Sequence, residues 1–299
     1  MKATWLPKYN DNTNRLSTKQ IFPKRCPTGT IVIRRTTKED LIRARKYTHQ
    51  IQSRVQPLQE QMADTSGGAF HYARVSIDAG KGPKYYGAST DLDVFQLSGV
   101  SENQASTSQI ILSKGERGPR NYINSVQAGW HVNYQWEGDN STHFFTYWTS
   151  DGSQKTGCYN LVCKRFVQIS TRLAPGMIYT QSSLSLSIYR DRFTLNWMLY
   201  NDREPVGYWP KEIFDNMADC SQVQMGGDVY SPLGEPSPPM GSGVLNEAKF
   251  TRVLLTDGRG NDIKVTEYTT INDLPNYIYG VTSDLQTLTY GGPGGWRKA

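Results

Sequence analysis

The segment from Ile123 to Trp136, INSVQAGWHVNYQW, alternates between two kinds of side chain. From Val126 onward every second residue is apolar, and the residues between them are polar or glycine. Because successive side chains of a β-strand point to opposite faces, this period of two predicts a half-buried strand. Gln127 stands at the head of the polar face with His131 four residues further on, and the simplest expectation is that both face solvent.

The chain from Phe70 onward is a series of such short strands separated by turns. HYARVSID and KYYGASTDLDVFQL are predicted to pair as a hairpin across AGKGP, and SLSLSIY and FTLNWMLY to pair across RDR. Many strands at near-regular spacing, rich in aromatic and β-branched residues, favour an all-β sandwich or barrel. In the strand SQVQMGGDVY, Gln224 lies on the polar face before two glycines, which would let another backbone or a ligand come close.

The first segment differs from the rest because it holds the most helical pattern of the chain. A helix is predicted near residues 37–56, with Thr36 as N-cap and Glu39 three residues later in a capping-box pattern. Its thin apolar stripe consists of Leu41, Ile42, Tyr47 and Ile51. The stretch ADTSGGA that follows has the composition of a linker. We therefore predict two units, a partly helical segment over residues 1–65 and a β-domain over residues 66–299.

Charge is distributed unevenly between these two units. The first 50 residues hold twelve of the 33 basic and three of the 27 acidic side chains, a net charge of +9, whereas the remaining residues carry −3. A basic arm in front of an acidic body docks on that body, stays solvated, or binds nucleic acid or an anionic membrane. Docking on the body is preferred because the arm has no zinc, helix-turn-helix or RNA-binding signature, and neither nucleic acid nor a membrane is expected as a partner.

Other functions are excluded by what the sequence lacks. No run of about 18 apolar residues is present, so no transmembrane helix is expected, and the N-terminus lacks the apolar core of a signal peptide. The four His residues lack metal-ligand spacing, and the sequence has no phosphate-binding or dinucleotide-binding fingerprint. We therefore expect neither a metal nor a cofactor. The cysteines leave alternatives open: Cys158 and Cys163 suit a tight disulfide or two buried thiols, and the pairing of Cys26 and Cys220 is undetermined. Asn140 opens a glycosylation sequon, which matters only in a secreted chain.

Eight blocks of the chain, in this order, resemble the neprosin family of plant secreted proteins, whose founding members are glutamic peptidases that cleave on the carboxyl side of proline. The blocks are CPTGTIVIRRTTKEDLIRA, KYYGASTDLDVFQ, INSVQAGWHVN, GDNSTHFFTYWTSDG, TGCYNLVCKRFVQIS, VGYWPKEIF, VQMGGDVY and YGGPG. The resemblance implies a strongly bent antiparallel β-sandwich with its active cleft on a concave sheet face. It also implies secretion, a disulfide between Cys158 and Cys163, and an activation peptide, here the first segment, that covers the cleft in the zymogen and is removed at acid pH.

The catalytic positions of the family are substituted in this chain. Active members carry one glutamate in the AGW strand and another just before the paired glycines, and these positions hold Gln127 and Gln224 here. The reaction needs a carboxylate to take a proton from water and a carboxyl group to protonate the leaving nitrogen. An amide does neither near working pH, although it donates a hydrogen bond to an oxyanion. Fungal glutamic peptidases use one glutamate with one glutamine, so one Gln is compatible with catalysis and two are not.

Three hypotheses follow from this substitution. The first is a weak or inactive homologue that binds proline-containing peptides, with its own N-terminal segment as a second partner. The second is an active endopeptidase that uses other carboxylates, although Asp228 lies four residues beyond Gln224, about 13 Å along a strand, and Glu137 lies further still from Gln127. The third is a carbohydrate-binding β-sandwich. Binding to glycans but not to proline-rich peptides would favour this hypothesis.

Overall fold

Two antiparallel β-sheets packed face to face make up most of the part of the chain that the computed structural model describes, residues 30–31, 33–51, 68–79, 84–281 and 284–296. The helical elements are α1 (Lys38–Ile51), α2 (Tyr134–Glu137) and two 3-10 turns, Arg120–Tyr122 and Lys211–Ile213. The strands are β1 (Gly68–Asp78), β2 (Gly87–Asp93), β3 (Ala105–Lys114), β4 (Asn124–Val132), β5 (His143–Thr149), β6 (Cys158–Tyr159), β7 (Val167–Gln168), β8 (Ser183–Arg190), β9 (Trp197–Asn201), β10 (Glu204–Trp209), β11 (Gln222–Pro232), β12 (Ala248–Thr256), β13 (Asp262–Ile263), β14 (Thr269–Asn272), β15 (Ile278–Val281) and β16 (Leu288–Gly291).

The strand order defines the two layers within these described ranges. The first sheet runs β14-β1-β11-β3-β4-β5-β6, and the second runs β15-β16-β12-β2-β8-β9-β10-β7, with β13 paired to β12. This architecture confirms the antiparallel β-sandwich predicted from the sequence, preceded by a segment with a little helix. The pairing of β8 with β9 also confirms the hairpin predicted across RDR. The hairpin predicted across AGKGP is wrong, because β1 pairs with β11 and β14 whereas β2 pairs with β8 and β12 in the other sheet.

The core lies between the two sheets and is built from alternate residues of each strand. In β4 the core-facing side chains include Val126, Ala128 and Trp130, which pack in one cluster with Leu186 and Trp197 of the second sheet. The alternation in this segment therefore predicted the core face correctly. The prediction of a half-buried strand is wrong on its other face, since all nine residues of β4 are buried.

The strand ends earlier than its sequence pattern. The side chain of Asn133 accepts a hydrogen bond from the backbone N–H of Trp136, so Asn133 caps the short helix α2. Asparagine is a strong N-cap because its side-chain oxygen satisfies a free N–H of the first turn. This cap removes Tyr134 and Trp136 from the predicted strand and turns the chain at Glu137, which becomes part of the site.

Helix α1 lies within the range predicted for a helix, but its cap and its apolar face differ from the prediction. The hydroxyl of Thr37 accepts from the N–H of Asp40 at 3.1 Å, and the N–H of Thr37 donates to the Asp40 carboxylate at 2.8 Å, so the capping box begins one residue after Thr36. Leu41 of the predicted stripe is 52% exposed, whereas Ala44 is buried.

Residues 52–67, which hold the predicted helix end and linker, lie outside the described residues. In the described ranges, no helix has both the length and the apolar character needed to cross a membrane.

Candidate functional site

Gln127 and Gln224 lie in one cross-strand row of the first sheet. Gln224 of β11 pairs with Ile111 of β3, and Ile111 pairs on its other side with Gln127 of β4. Residues directly opposite each other in a ladder share a face, so both glutamines project from the same side of the sheet, the side away from the core. We call this side the polar face. With one strand between them, their backbones are about 10 Å apart.

Two glycines occupy the neighbouring row of the polar face. Gly226 and Gly129 both pair with Gln109 of β3, one on each side. A Cβ added at Gly129 would lie 2.0 Å from the carbonyl oxygen of Ser108, and one at Gly226 would lie 2.2 Å from that of Ala73. The backbone that was expected to approach the paired glycines is therefore that of a neighbouring strand. The row beside the two glutamines therefore lacks a side chain on β11 and on β4, where Gly226 and Gly129 lie.

The side chain of Gln224 is held at both ends. Its Oε1 accepts a hydrogen bond from Arg74 Nη1 at 3.0 Å, and its Nε2 donates to Gln222 Oε1 at 2.7 Å. Because a guanidinium only donates, the oxygen of the amide must be the atom that faces Arg74. Gln222 in turn donates through Nε2 to Asp78 at 2.9 Å. The orientation of the Gln224 amide is thus fixed by its surroundings.

Asp228 is the carboxylate nearest to Gln224 along β11, and it is already bound to other side chains. Asp228 forms an ion pair with Arg74 and accepts from Gln109 Nε2 at 2.7 Å, and both charged side chains are almost fully buried. A buried carboxylate with these partners remains bound to them rather than acting at a distance. Asp228 reaches position 224 only through Arg74, which agrees with the separation expected from the sequence.

Gln127 has a different environment from Gln224. Its Nε2 donates a long hydrogen bond, 3.3 Å, to the hydroxyl of Ser125, and its row neighbours are Ile111 and Tyr147. The residue is 7% exposed and Gln224 is 5% exposed, so the expectation that Gln127 faces solvent is wrong. The hydrogen bonds of the described residues bring no carboxylate to either glutamine.

A second polar cluster lies further along the polar face, around Glu137. His131 of β4 is fully buried rather than solvated, and its Nε2 lies 3.0 Å from Glu137 Oε1, which also accepts from Asn160 Nδ2 at 3.3 Å. His143 Nδ1 lies 3.7 Å from Glu137 Oε2. Burial raises the pKa of Glu137, but the hydrogen bond from His131 and the attraction of the nearby cationic groups, Arg34 included, outweigh it and hold the pKa below its usual range.

The N-terminal segment contacts this second cluster. Arg34 Nη1 donates to Glu137 Oε2 at 3.1 Å, and Arg43 Nε donates to the carbonyl oxygen of Trp136 at 3.1 Å. Ala44 of α1 belongs to an aromatic cluster whose other buried members are Trp136, Phe145, Tyr147 and Tyr159. Tyr147 pairs directly with Gln127, so the aromatic cluster that Ala44 joins extends to the row of the two glutamines.

The cysteines and the sequon fall outside the glutamine row. Cys158 and Cys163 form a disulfide, as the family resemblance implied, and it closes the turn that carries Asn160. Cys220 is a buried free thiol, while Cys26 lies outside the described residues. Asn140 is exposed on the loop after α2. Across the described ranges, no group of three or more His, Cys, Asp or Glu side chains is arranged to hold a metal ion.

The fold and the site define a two-sheet β-sandwich protein with a polar row on the outer face of one sheet. The chain belongs to the neprosin family, whose sequence profile matches residues 102–293 and so includes both glutamine positions.

Solved structures with a similar fold include two peptidases. Scytalido-glutamic peptidase with a peptide-based transition state analogue is 12% identical, with 75% of this chain and 98% of that chain covered and a TM-score of 0.42. SCP-B of the Eqolisin family, in complex with the tripeptide Ala-Ile-His, is 12% identical with the same coverage and a TM-score of 0.36. A Bacillus licheniformis β-glucanase is 10% identical over 69% of this chain and 66% of that chain, with a TM-score of 0.31. All three scores are below 0.5, and the family assignment rests on the sequence match alone.

The sequence did not point to Arg74 or Arg34 as residues of the site, and Glu137 was considered only as a carboxylate distant from Gln127. Arg74 had a usable signal, because it is a charged residue inside the predicted strand HYARVSID, where burial requires an ionic partner. The role of Glu137 in a second cluster had no signal, since the residue followed a strand pattern that the Asn133 cap interrupts. Arg34 was one of many basic residues in the arm, and nothing distinguished it from Arg35.

Proposed function

We propose that this protein is a weak or inactive homologue of the glutamic endopeptidases that binds proline-containing peptides across the row of Gln127 and Gln224. The observation that carries the proposal is that both residues lie on one face with one strand between them. The proposal takes these as the positions of the family's two glutamates. Amides at both positions offer hydrogen-bond donors and acceptors to a peptide backbone. Neither amide exchanges a proton with water or substrate at acid pH, so binding without efficient cleavage follows.

The neighbouring carboxylates support an impaired site rather than an active one. Asp228 is bound by Arg74 and Gln109, and Glu137 is bound by His131 and Arg34. Each would have to leave a buried partner to take part in proton transfer at the glutamine row, and separating a buried ion pair is costly.

We further propose that residues 1–65 act as an activation-peptide-like segment and residues 66–299 as the β-domain. The contacts of Arg34 with Glu137 and of Arg43 with Trp136 support this division. A segment in this place limits access to one side of the glutamine row. The boundary between the units falls in residues 52–67, outside the described residues.

We also propose that the protein is extracellular. Family membership and the Cys158–Cys163 disulfide support this location, because disulfides persist in oxidising compartments. The exposed Asn140 would then carry an N-linked glycan, which a loss of mass on treatment with an N-glycosidase would reveal.

The test compares the native chain with its Gln127→Glu, Gln224→Glu double variant. Both are incubated at about pH 3 with a fluorogenic peptide that contains proline, and binding of an unlabelled proline peptide is measured by calorimetry. We expect both proteins to bind and only the double variant to cleave, since each acid or base group contributes about 10²- to 10⁴-fold to the rate. Cleavage by the native chain at a similar rate, or binding to glycans but not to proline peptides, would contradict the proposal.

A further inference from the structure

In the described part of the N-terminal segment, two arginine head groups contact the body, and Ala44 packs in the aromatic cluster beside them. Arg34 meets Glu137 and Arg43 meets the backbone of Trp136, each at 3.1 Å. The apolar side chain of Leu41 in the same segment remains 52% exposed. Polar recognition of guanidinium groups therefore contributes much of the docking.

The body presents a carboxylate that is built to receive a cation. The Glu137 side chain has no exposed surface, and its Oε1 is taken by His131 and Asn160. Its Oε2 has Arg34 as its nearest partner, with His143 further away at 3.7 Å. His131 and His143 of the body also face this carboxylate, but a buried Oε2 that loses its donor is destabilised, so a new donor at this point is favoured once Arg34 has left.

The backbone around Glu137 leaves room for guanidinium groups. Gly176 has φ +85°, and a Cβ there would lie 3.1 Å from Arg34 Nη1. Gly138 has φ +87°, and a Cβ there would lie 3.1 Å from Arg43 Nη1. Each head group thus packs against a left-handed glycine of the body, where a larger residue would crowd it.

A pocket lies beside Arg34, between the segment and the body. Arg34, Thr36 and Asp40 line it on the side of the segment, and Trp136, Asn160, Leu161, Val162 and Pro175 line it on the side of the body. The side chain of Arg34 is 42% exposed, so its head group reaches the buried carboxylate from the solvent side. An arginine that arrives from outside can follow the same route once Arg34 has left.

We propose that the place where the Arg34 head group meets Glu137, beside this pocket, is a guanidinium-binding site of the body, which takes an arginine side chain of an extended peptide when the N-terminal segment is displaced. A lysine fits it less well because a single ammonium lacks the planar fork with which Arg34 reaches Glu137 and Asp40 together. His131, which contacts Glu137, lies four residues from Gln127 on β4, or about 13 Å along the strand. A peptide bound across the glutamine row would therefore place the arginine about four residues away from that row. This last step rests on the proposed function, whereas the guanidinium site itself does not.

The experiment uses the full chain with Arg34→Ala and titrates N-acetyl-arginine methylamide by calorimetry. We expect saturable binding to this variant and none to the Arg35→Ala control, which loses the same charge from an exposed neighbour but keeps Arg34 at Glu137. Adding Glu137→Gln should weaken binding about ten-fold or more, since a charged hydrogen bond is lost. Absence of saturable binding to Arg34→Ala, equal binding of the lysine analogue, or no effect of Glu137→Gln overturns the proposal. If Arg34→Ala is not recovered folded, Arg34→Gln replaces it with the same outcomes.

A second arm separates this proposal from the proposed function. Proline-containing peptides with arginine four residues from the proline are compared, in the Arg34→Ala chain, with the same peptides carrying citrulline, which is neutral and similar in shape. Tighter binding of the arginine peptide supports the site, and equal binding of the two peptides contradicts it. If neither peptide binds but the arginine analogue does, the peptide-binding role of the glutamine row fails while the guanidinium site stands.

Discussion

At the scale of single residues, the two glutamine positions are not equivalent, because only one of them touches a cation. Position 224 accepts a hydrogen bond from Arg74, whereas position 127 meets Ser125. A donor that bonds to the charged form of a carboxyl lowers its pKa, and burial without such a donor raises it. Glutamates introduced at the two positions should therefore differ in acidity.

We predict that a glutamate introduced by Gln224→Glu titrates about one pH unit or more below one introduced by Gln127→Glu. The measurement is a carbon-13 NMR titration of the labelled side-chain carboxyl in each single variant. Arg74→Lys provides the control, since lysine retains the charge beside Asp228 but cannot also contact position 224. It should bring the two pKa values closer together, and equal pKa values before this change would contradict the prediction.

The candidate residues themselves could be found from the sequence only in part. Alternation placed Gln127 on the face opposite Val126 and Trp130, and the structure agrees. Alternation could not predict the register of the strands. That register places Gln127 and Gln224 opposite the same residue, Ile111, although they lie far apart in the chain. Register depends on long-range pairing of the whole sheet, so the neighbours of each glutamine could not be derived from local pattern.

At the scale of structural elements, the close approach of β1 to β11 depends on Gly226. Its φ is +146°, and an added Cβ would lie 2.2 Å from the carbonyl oxygen of Ala73. We predict that Gly226→Ala lowers the free energy of unfolding by about 3 kcal/mol, through backbone strain and a clash with the neighbouring strand. Denaturant unfolding of the purified variant measures this change.

The matched control for this prediction is Gly234→Ala. Gly234 also has a positive φ, +79°, but nothing lies within 4 Å of its added Cβ. This variant should lose only the conformational cost of the backbone, about 1 kcal/mol. Equal losses in the two variants would show that the clash with β1 contributes nothing.

At the scale of the whole molecule, the described contacts between the first segment and the body involve its basic residues more than its predicted apolar stripe. The excess of basic residues in the first 50 favoured docking on the acidic body, and Arg34 and Arg43 do contact it. The stripe that includes Leu41 suggested apolar packing, yet Ala44 is the buried position. The difference arises because the segment meets a polar edge, where a carboxylate and a carbonyl oxygen set the orientation of the helix.

The same docking should depend on pH through Glu137. Its pKa in the folded protein lies below the unfolded value of about 4.3, so ionised Glu137 stabilises the folded state at higher pH. This contribution is lost as the pH falls below about 4.3 and through the folded pKa. The pKa of Asp40, which bonds to Arg34 and Arg43, is also lowered, its Thr37 hydrogen bonds and these arginines outweighing the effect of burial, so it adds a loss of the same sign.

We therefore predict that α1 loses its protection against amide hydrogen exchange as the pH falls below about 4.3 and through the folded pKa of Glu137, before the β-sandwich does. In Glu137→Gln the protection of α1 should already be reduced at neutral pH and change less on acidification, because no carboxylate remains to be protonated at that site. Asp257→Asn is the control: the pKa of Asp257 is lowered by hydrogen bonds within its own turn, chiefly from Asn261, and that turn lies in the second sheet, away from α1. A helix that stays protected at a pH where carbon-13 NMR shows the Glu137 carboxyl to be protonated would show that the contact between Arg34 and Glu137 does not hold the segment in place, since the ion pair would then be lost without releasing the helix.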